Sequence, residues 1–258
     1  MDEKITKFDC LVLNYNLMLE HQLRAVKDRI DGSCKRVGRN PEEIELVLVT
    51  KEVDFARIEE AYRLGVRDFG ENRVQELVVK EQRLSRDIRW HFIGNLQTNK
   101  VKFLVDKIAL VHSCDRLDLA KALQKQAEKL NAEVDVLIQV NTSGENAKHG
   151  FHPQRVEEAI SEIRRLNRLK IRGLMTIGPN TEDRERIRDS FRLLRTLRDQ
   201  LQHDFLSVDF HYLSMGMSSD FELAIEDRDV RDDAAEPRLG HHYARSPDRY
   251  SRATWRSS

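Results

Sequence analysis

The run Ile44-Glu45-Leu46-Val47-Leu48-Val49-Thr50 is apolar and β-branched, and it reads as a buried strand with Lys51 at its exit. Barrel and α/β proteins place their chemistry at such strand ends. A primary amine there is suited to forming a Schiff base with an aldehyde or ketone. Taken alone, Lys51 also fits a solvated lysine that merely ends a strand. A second group, Ser214-Met215-Gly216-Met217-Ser218-Ser219-Asp220, leaves a late strand and enters a helix. Small residues there let backbone N–H groups and hydroxyls converge on an anion such as a phosphate dianion. A plain helix cap by Ser218 or Ser219 explains the same residues.

An amine at the first strand and a phosphate-sized turn late in the chain together suit a phosphorylated carbonyl compound, of which pyridoxal 5′-phosphate is the obvious example. Other polar residues cluster at strand ends. Glu71-Asn72-Arg73 follows the second strand, where it either bonds a ligand or supplies an early acid to a helix. His91 alternates with Trp90 and Phe92 inside the third strand, either facing a ligand or bonded within the core. Asn141-Thr142-Ser143-Gly144 and Thr176-Ile177-Gly178-Pro179 end two later strands and are compatible with ordinary turns. There is no metal-ligand spacing, no serine–histidine–acid signature and no Walker loop.

The elements that must position these residues alternate regularly. A lead-in helix is expected over Leu19, Leu23, Val26, Ile30, Cys34 and Val37. Strands are then expected at Ile44–Lys51, Arg67–Gly70, Trp90–Gly94, Ile108–His112, Val134–Val140, Ile171–Ile177 and Val208–Leu213, each followed by a helical period. Strands separated by amphipathic helices pair in parallel through right-handed crossovers. The expected class is therefore α/β, a (β/α)8 TIM barrel whose eighth strand is doubtful. An open doubly wound sheet is the alternative, although no glycine-rich dinucleotide fingerprint follows the first strand.

Of the 258 residues, 40% are hydrophobic, which supports a sizeable core. The net charge of zero argues against a nucleic-acid or membrane-surface partner. Three scattered cysteines without a CxxC, no membrane-length apolar stretch and no secretory start point to the cytoplasm. Composition shifts abruptly near the end. Residues 227–258 carry many arginines and aspartates, Pro237, Pro247 and no lysine, with no strand or helical period. The expected organisation is a barrel with its lead-in helix over 1–226 and an irregular tail over 227–258.

Several motifs follow one another in order: Val49-Thr50-Lys51, Phe69 through Glu76, Trp90 through Lys100, His112-Ser113-Cys114-Asp115, Gln139-Val140-Asn141, Gly173 through Pro179 and Ser214 through Ser218. Over about residues 15–226 the chain resembles the pyridoxal-phosphate homeostasis proteins of the YggS/PROSC type, relatives of the barrel of alanine racemase. The resemblance implies a pyridoxal 5′-phosphate cofactor held as a Schiff base on Lys51. It implies that Ser214, Gly216 and Ser218 hold the phosphate and that Asn72, His91 and Met175 lie near the ring. It implies vitamin B6 homeostasis without established turnover, with no catalytic residue, and with PLP-dependent apoenzymes as possible acceptors. The alternatives are a racemase-like enzyme, which would need a second base from a further C-terminal domain, and a Schiff-base aldolase. The chain departs from the family after Glu226, where an eighth strand of Val-Arg-Ile-Gly-Thr type is absent. Arg238-Leu239-Gly240 is displaced from that position, and the abrupt shift in composition suggests the hypothesis of an altered reading frame. The expectation is a barrel left open beside the cofactor.

Overall fold

A computed structural model describes residues 7–145 and 149–227. Its seven strands form one parallel sheet in sequential order. They are β1 (Leu48–Val49), β2 (Asp68–Glu71), β3 (Arg89–Phe92), β4 (Leu110–Cys114), β5 (Val134–Gln139), β6 (Leu169–Met175) and β7 (Tyr212–Ser214). This is the order of a (β/α)8 barrel one strand short, in which every strand end lies on the same rim. The crossover helices are α2 (Phe55–Arg63), α3 (Val74–Arg83), α4 (Leu117–Leu130), α5 (Val156–Ile163) and α6 (Arg184–Asp204). Their apolar faces meet the outward side chains of the sheet, so that Phe69, Phe92, Val136, Ile138 and Leu174 pack with Leu77, Leu119, Leu123, Ile160 and Leu194. Asp54 and Asp183 cap α2 and α6 by accepting N–H bonds from Arg57 and from Glu185 and Arg186.

The lead-in helix α1 (Lys7–Arg36) begins earlier than its apolar period predicts. It packs with α7 (Phe221–Glu226) and the approach to β1, through Val26, Ile30 and Cys34 against Ile44, Leu46, Phe221 and Ile225. Arg29 and Arg36 reach Glu222 and Glu226 at 3.0 and 2.6 Å. Among the described residues β1 and β7 each pair on one side only, and Val49 is 49% exposed. The expected tail lies, beyond Asp227, outside the described residues.

Several strand limits differ from those expected, each for a local reason. The first ladder covers only Leu48–Val49, because Ile44 and Leu46 are taken by the α1 cluster. The seventh begins at Tyr212 rather than Val208. The Gln202 amide on α6 donates to Val208 O and accepts from Phe210 N, so that stretch has a side chain where a strand partner would be. The fourth slides two residues to Leu110–Cys114, with Ala109 N bonded to Trp90 O. The helical period expected after the third strand is a 3₁₀ segment, Thr98–Phe103. Cys34 and Cys114 are buried free thiols, and burial pushes Cys114 up to about 12, an unreactive packing residue. No helix among the described residues is long and apolar enough to cross a membrane.

Candidate functional site

Lys51 leaves β1 in a turn that its neighbours build from below. Thr50 donates its N–H to Gly70 O at 2.8 Å, and its hydroxyl reaches the Glu71 carboxylate at 3.2 Å. The ammonium of Lys80, on α3, meets Thr50 O and Glu71 Oε2, both at 2.6 Å, and Glu76 Oε2 at 3.2 Å. Glu71 is fully buried and Lys80 nearly so. Glu52, directly after Lys51, adopts a left-handed φ of 60°, a strained conformation for a residue with a side chain. Its N–H donates to Glu76 Oε2 at 3.1 Å. That bond, together with Lys80, holds the Glu76 carboxyl below its ordinary value. The Lys51 side chain itself is exposed, and its ammonium has no partner among the described residues.

Asn72 directly follows the neighbouring strand β2, in the register that pairs Val49 with Gly70. Its N–H donates to Glu71 Oε1 at 2.8 Å, while its side-chain Oδ1 is buried without a hydrogen-bond partner. A buried polar atom left unpaired is costly, and one at a strand mouth is what a ligand would satisfy. Gly94, past β3, allows this loop its place, since a Cβ there would lie 2.2 Å from Asn72 O. Gly94→Ala should push the Asn72 loop aside and lower stability by about 1–3 kcal/mol, read by urea unfolding. An unchanged midpoint would show that the loop yields freely.

Inside the barrel a line of polar groups crosses from β2 to β7. Arg89 pairs with Asp68 and, at 3.4 Å, with Glu45. Asp68 Oδ1 meets His91 Nε2 at 3.0 Å, and His91 Nδ1 meets His112 Nε2 at 2.9 Å. His112 Nδ1 then meets Ser214 Oγ at 2.8 Å. Burial, reinforced by the adjacent His91, pushes His112 down to about 3, so it is a neutral imidazole. Both ring nitrogens of His91 are occupied by protein, which leaves only its carbon edge for any ligand.

Ser214 closes β7 and Gly216 follows with a φ of +87°, a left-handed turn that favours glycine. The buried Asp220 tightens this turn by accepting Met217 N–H at 2.5 Å, and Ser218 stands exposed on its outside. Met175, the last residue of β6, packs with Leu110, Leu137 and Tyr212. Parallel pairing thus brings the ends of β1, β2, β6 and β7, with Lys51, Asn72, Met175 and Ser214, to one rim, and His91 below it. The donor set suits a small phosphorylated carbonyl compound, with an amine, an unpaired amide oxygen, a hydroxyl and a glycine turn.

Sequence reasoning missed Asp68, Lys80 and His112. Lys80 lies one helical turn from Glu76, a spacing usually met in solvated pairs. The signal that could have exposed its role is Glu71, a carboxylate at the end of a short buried strand that requires a cation. A cavity of about 250 Å³ between the loops after β5 and β6 and the start of α6 includes Thr142, Ser143, Arg186 and Ser190, but not Lys51. Thr142 there bonds Thr176 and Ser190 at 2.8 and 2.6 Å, which is turn chemistry satisfied within the protein. No cluster of metal-binding side chains occurs among the described residues.

Residues 21–241 match the family described as alanine racemase, N-terminal domain. The pyridoxal phosphate homeostasis protein of Aquifex aeolicus is 46% identical over 207 residues, covering 80% of this chain and 90% of its own. That of Escherichia coli K12 is 36% identical over 211 residues, with 80% and 89% covered. The structure of PipY from Synechococcus elongatus PCC7942 with PLP bound superposes with a TM-score of 0.69 at 32% identity, covering 78% of this chain and 93% of PipY. With that order of strands and those relatives along most of its length, the chain belongs to the alanine racemase N-terminal domain family and, within it, to the pyridoxal phosphate homeostasis proteins.

Proposed function

We propose that this chain binds pyridoxal 5′-phosphate as part of intracellular vitamin B6 homeostasis, holding it as a Schiff base on Lys51. The observation that carries this reading is the unpartnered Lys51 amine on the same rim as the buried, unsatisfied Asn72 Oδ1. When bound, the cofactor supplies an aldehyde carbon that takes the Lys51 nitrogen with loss of one water. The protein's own contribution is placement. Thr50, Glu71 and Lys80 hold the amine-bearing turn, Asn72 offers an acceptor, and His91 and Met175 lie toward the ring. Ser214, Gly216 and Ser218 receive the phosphate. The cytoplasm is the compartment in this reading, and PLP-dependent apoenzymes are the acceptors. The names of the relatives support a carrier role, without turnover, over an enzyme.

The test is an absorbance spectrum of the protein after incubation with PLP and removal of free ligand, followed by borohydride reduction. A reducible Schiff-base band supports the reading, and no retained ligand would end it. Steady racemisation of an amino acid by the loaded protein would turn the carrier into an enzyme. Ser214→Ala and Ser218→Ala should each weaken PLP about tenfold or more, since a charge-assisted hydrogen bond contributes roughly 1.5–3 kcal/mol. Pyridoxal, lacking the phosphate, should be nearly indifferent in a direct titration. Equal weakening of both ligands would point to misfolding instead.

A further inference from the structure

The line from Asp68 to Ser214 has a direction, and one end fixes it. Burial pushes the Asp68 carboxyl up, but hydrogen bonds from His91 and Arg89 more than reverse this, and it sits below its ordinary value. Asp68 is therefore an anion that accepts from His91 Nε2–H. A neutral His91 then presents a bare Nδ1, so His112 donates to it from Nε2. His112 Nδ1 is in turn bare, and the Ser214 hydroxyl must donate inward to it. In this state Ser214 offers only lone pairs to the rim, the wrong polarity for a phosphate dianion.

One added proton reverses the line. With both nitrogens of His91 protonated, Nδ1–H donates to His112, whose proton moves to Nδ1 and is donated to Ser214. The hydroxyl proton is then free to point outward. His112 stays neutral in both states, as its burial demands, and the charge rests on His91 against Asp68.

We propose that His91 and His112 set whether Ser214 accepts or donates at the rim, and that seating a phosphate dianion there draws one proton from solvent onto His91. This rests on the reading of the Ser214 turn as a phosphate subsite. His91 and His112 are positioning residues in it. No heavy-atom bond changes; water or buffer supplies the proton, and the cation formed lies between two anions, Asp68 and the phosphate. The charged surroundings are Asp68 from β2, Arg89 from β3 with Glu45 behind it, and the Tyr212 phenol from β7. Asp135 on β5, paired with Arg172 on β6 at 3.0 Å, acts on Tyr212 from the far wall. Arg172 also faces Asp209 at 3.7 Å.

The sign follows from linkage. The complex holds one more proton than the free protein, so PLP affinity should fall about tenfold per pH unit over the window in which only the complex is protonated. The measurement is a pH titration of ¹⁵N-histidine-labelled protein by NMR, from about pH 7 upward, where the phosphate is largely dianionic. It is run on the PLP complex and on the pyridoxal complex, with His91→Gln to assign the signals. The expected result is a His91 midpoint at least one unit higher with PLP than with pyridoxal, accompanied by transfer of the His112 proton from Nε2 to Nδ1. In Ser214→Ala the two ligands should give the same midpoint. Equal midpoints in the unmodified protein would overturn the proposal. So would a shift that persists in Ser214→Ala, since that is simple attraction between charges. If PLP does not attach to Lys51, the parent reading has failed, and the mass of the reduced protein distinguishes that case.

Discussion

Lys51→Ala should abolish the Schiff-base absorbance band, and reduction of the unaltered protein should place the pyridoxyl group on the peptide that carries Lys51. The loss should be complete rather than partial, because the other amine near this turn is engaged elsewhere. Lys80 approaches the same turn from α3, but its ammonium is buried and bonded to Thr50 O, Glu71 and Glu76. An amine with all three donors committed has no lone pair to offer an aldehyde. Peptide mapping by mass spectrometry separates the outcomes. An adduct mainly on Lys80 or Lys100 would move the site and undo the assignment.

The second large effect concerns the pair beneath that turn. Glu71→Ala should destabilise the fold by about 3–5 kcal/mol, because it leaves the Lys80 ammonium buried without its principal counter-charge. Denaturant unfolding of the unliganded protein gives the value. Replacing both partners, as Glu71→Leu with Lys80→Met, should restore most of the stability, since a buried ion pair often does little better than apolar residues of similar volume. The double variant should still bind PLP poorly, because Thr50 O, Asn72 N–H and Arg73 N–H all lose a partner with the pair. A single variant as stable as the parent would mean that water reaches Lys80.

The alternation of strands and helices was legible because each crossover helix carries an apolar face at its own period, as with Leu119, Leu123 and Ala127 on α4. Strand limits were less legible, since pairing depends on partners remote in sequence. Val208 and Phe210 are apolar and buried on either side of the exposed Asp209, an alternation proper to a strand, yet a glutamine from α6 occupies part of the backbone there. The rim residues could be found because parallel strands bring their ends together whatever lies between them. The interior line could not. His112 and Asp68 carry no local pattern that separates a core histidine from a bonded relay, and only register across β2, β3 and β4 places them in reach.

The bonds that hold Lys51 in place all come from nearby in the chain. Thr50 is fastened to β2, and its carbonyl to Lys80, 30 positions on. Glu52 is fastened to Glu76, 24 positions on. By contrast, Ser214 receives its direction from His112, 102 positions away. The Lys51 turn and the Ser214 turn, proposed above as tether and phosphate grip, are thus held by bonds of different reach along the chain. Contacts of short sequence separation close at little entropic cost and form early in folding. The hydrogen bonds of the Lys51 turn therefore close early, while the bond to Ser214 waits on assembly of the sheet from β4 to β7.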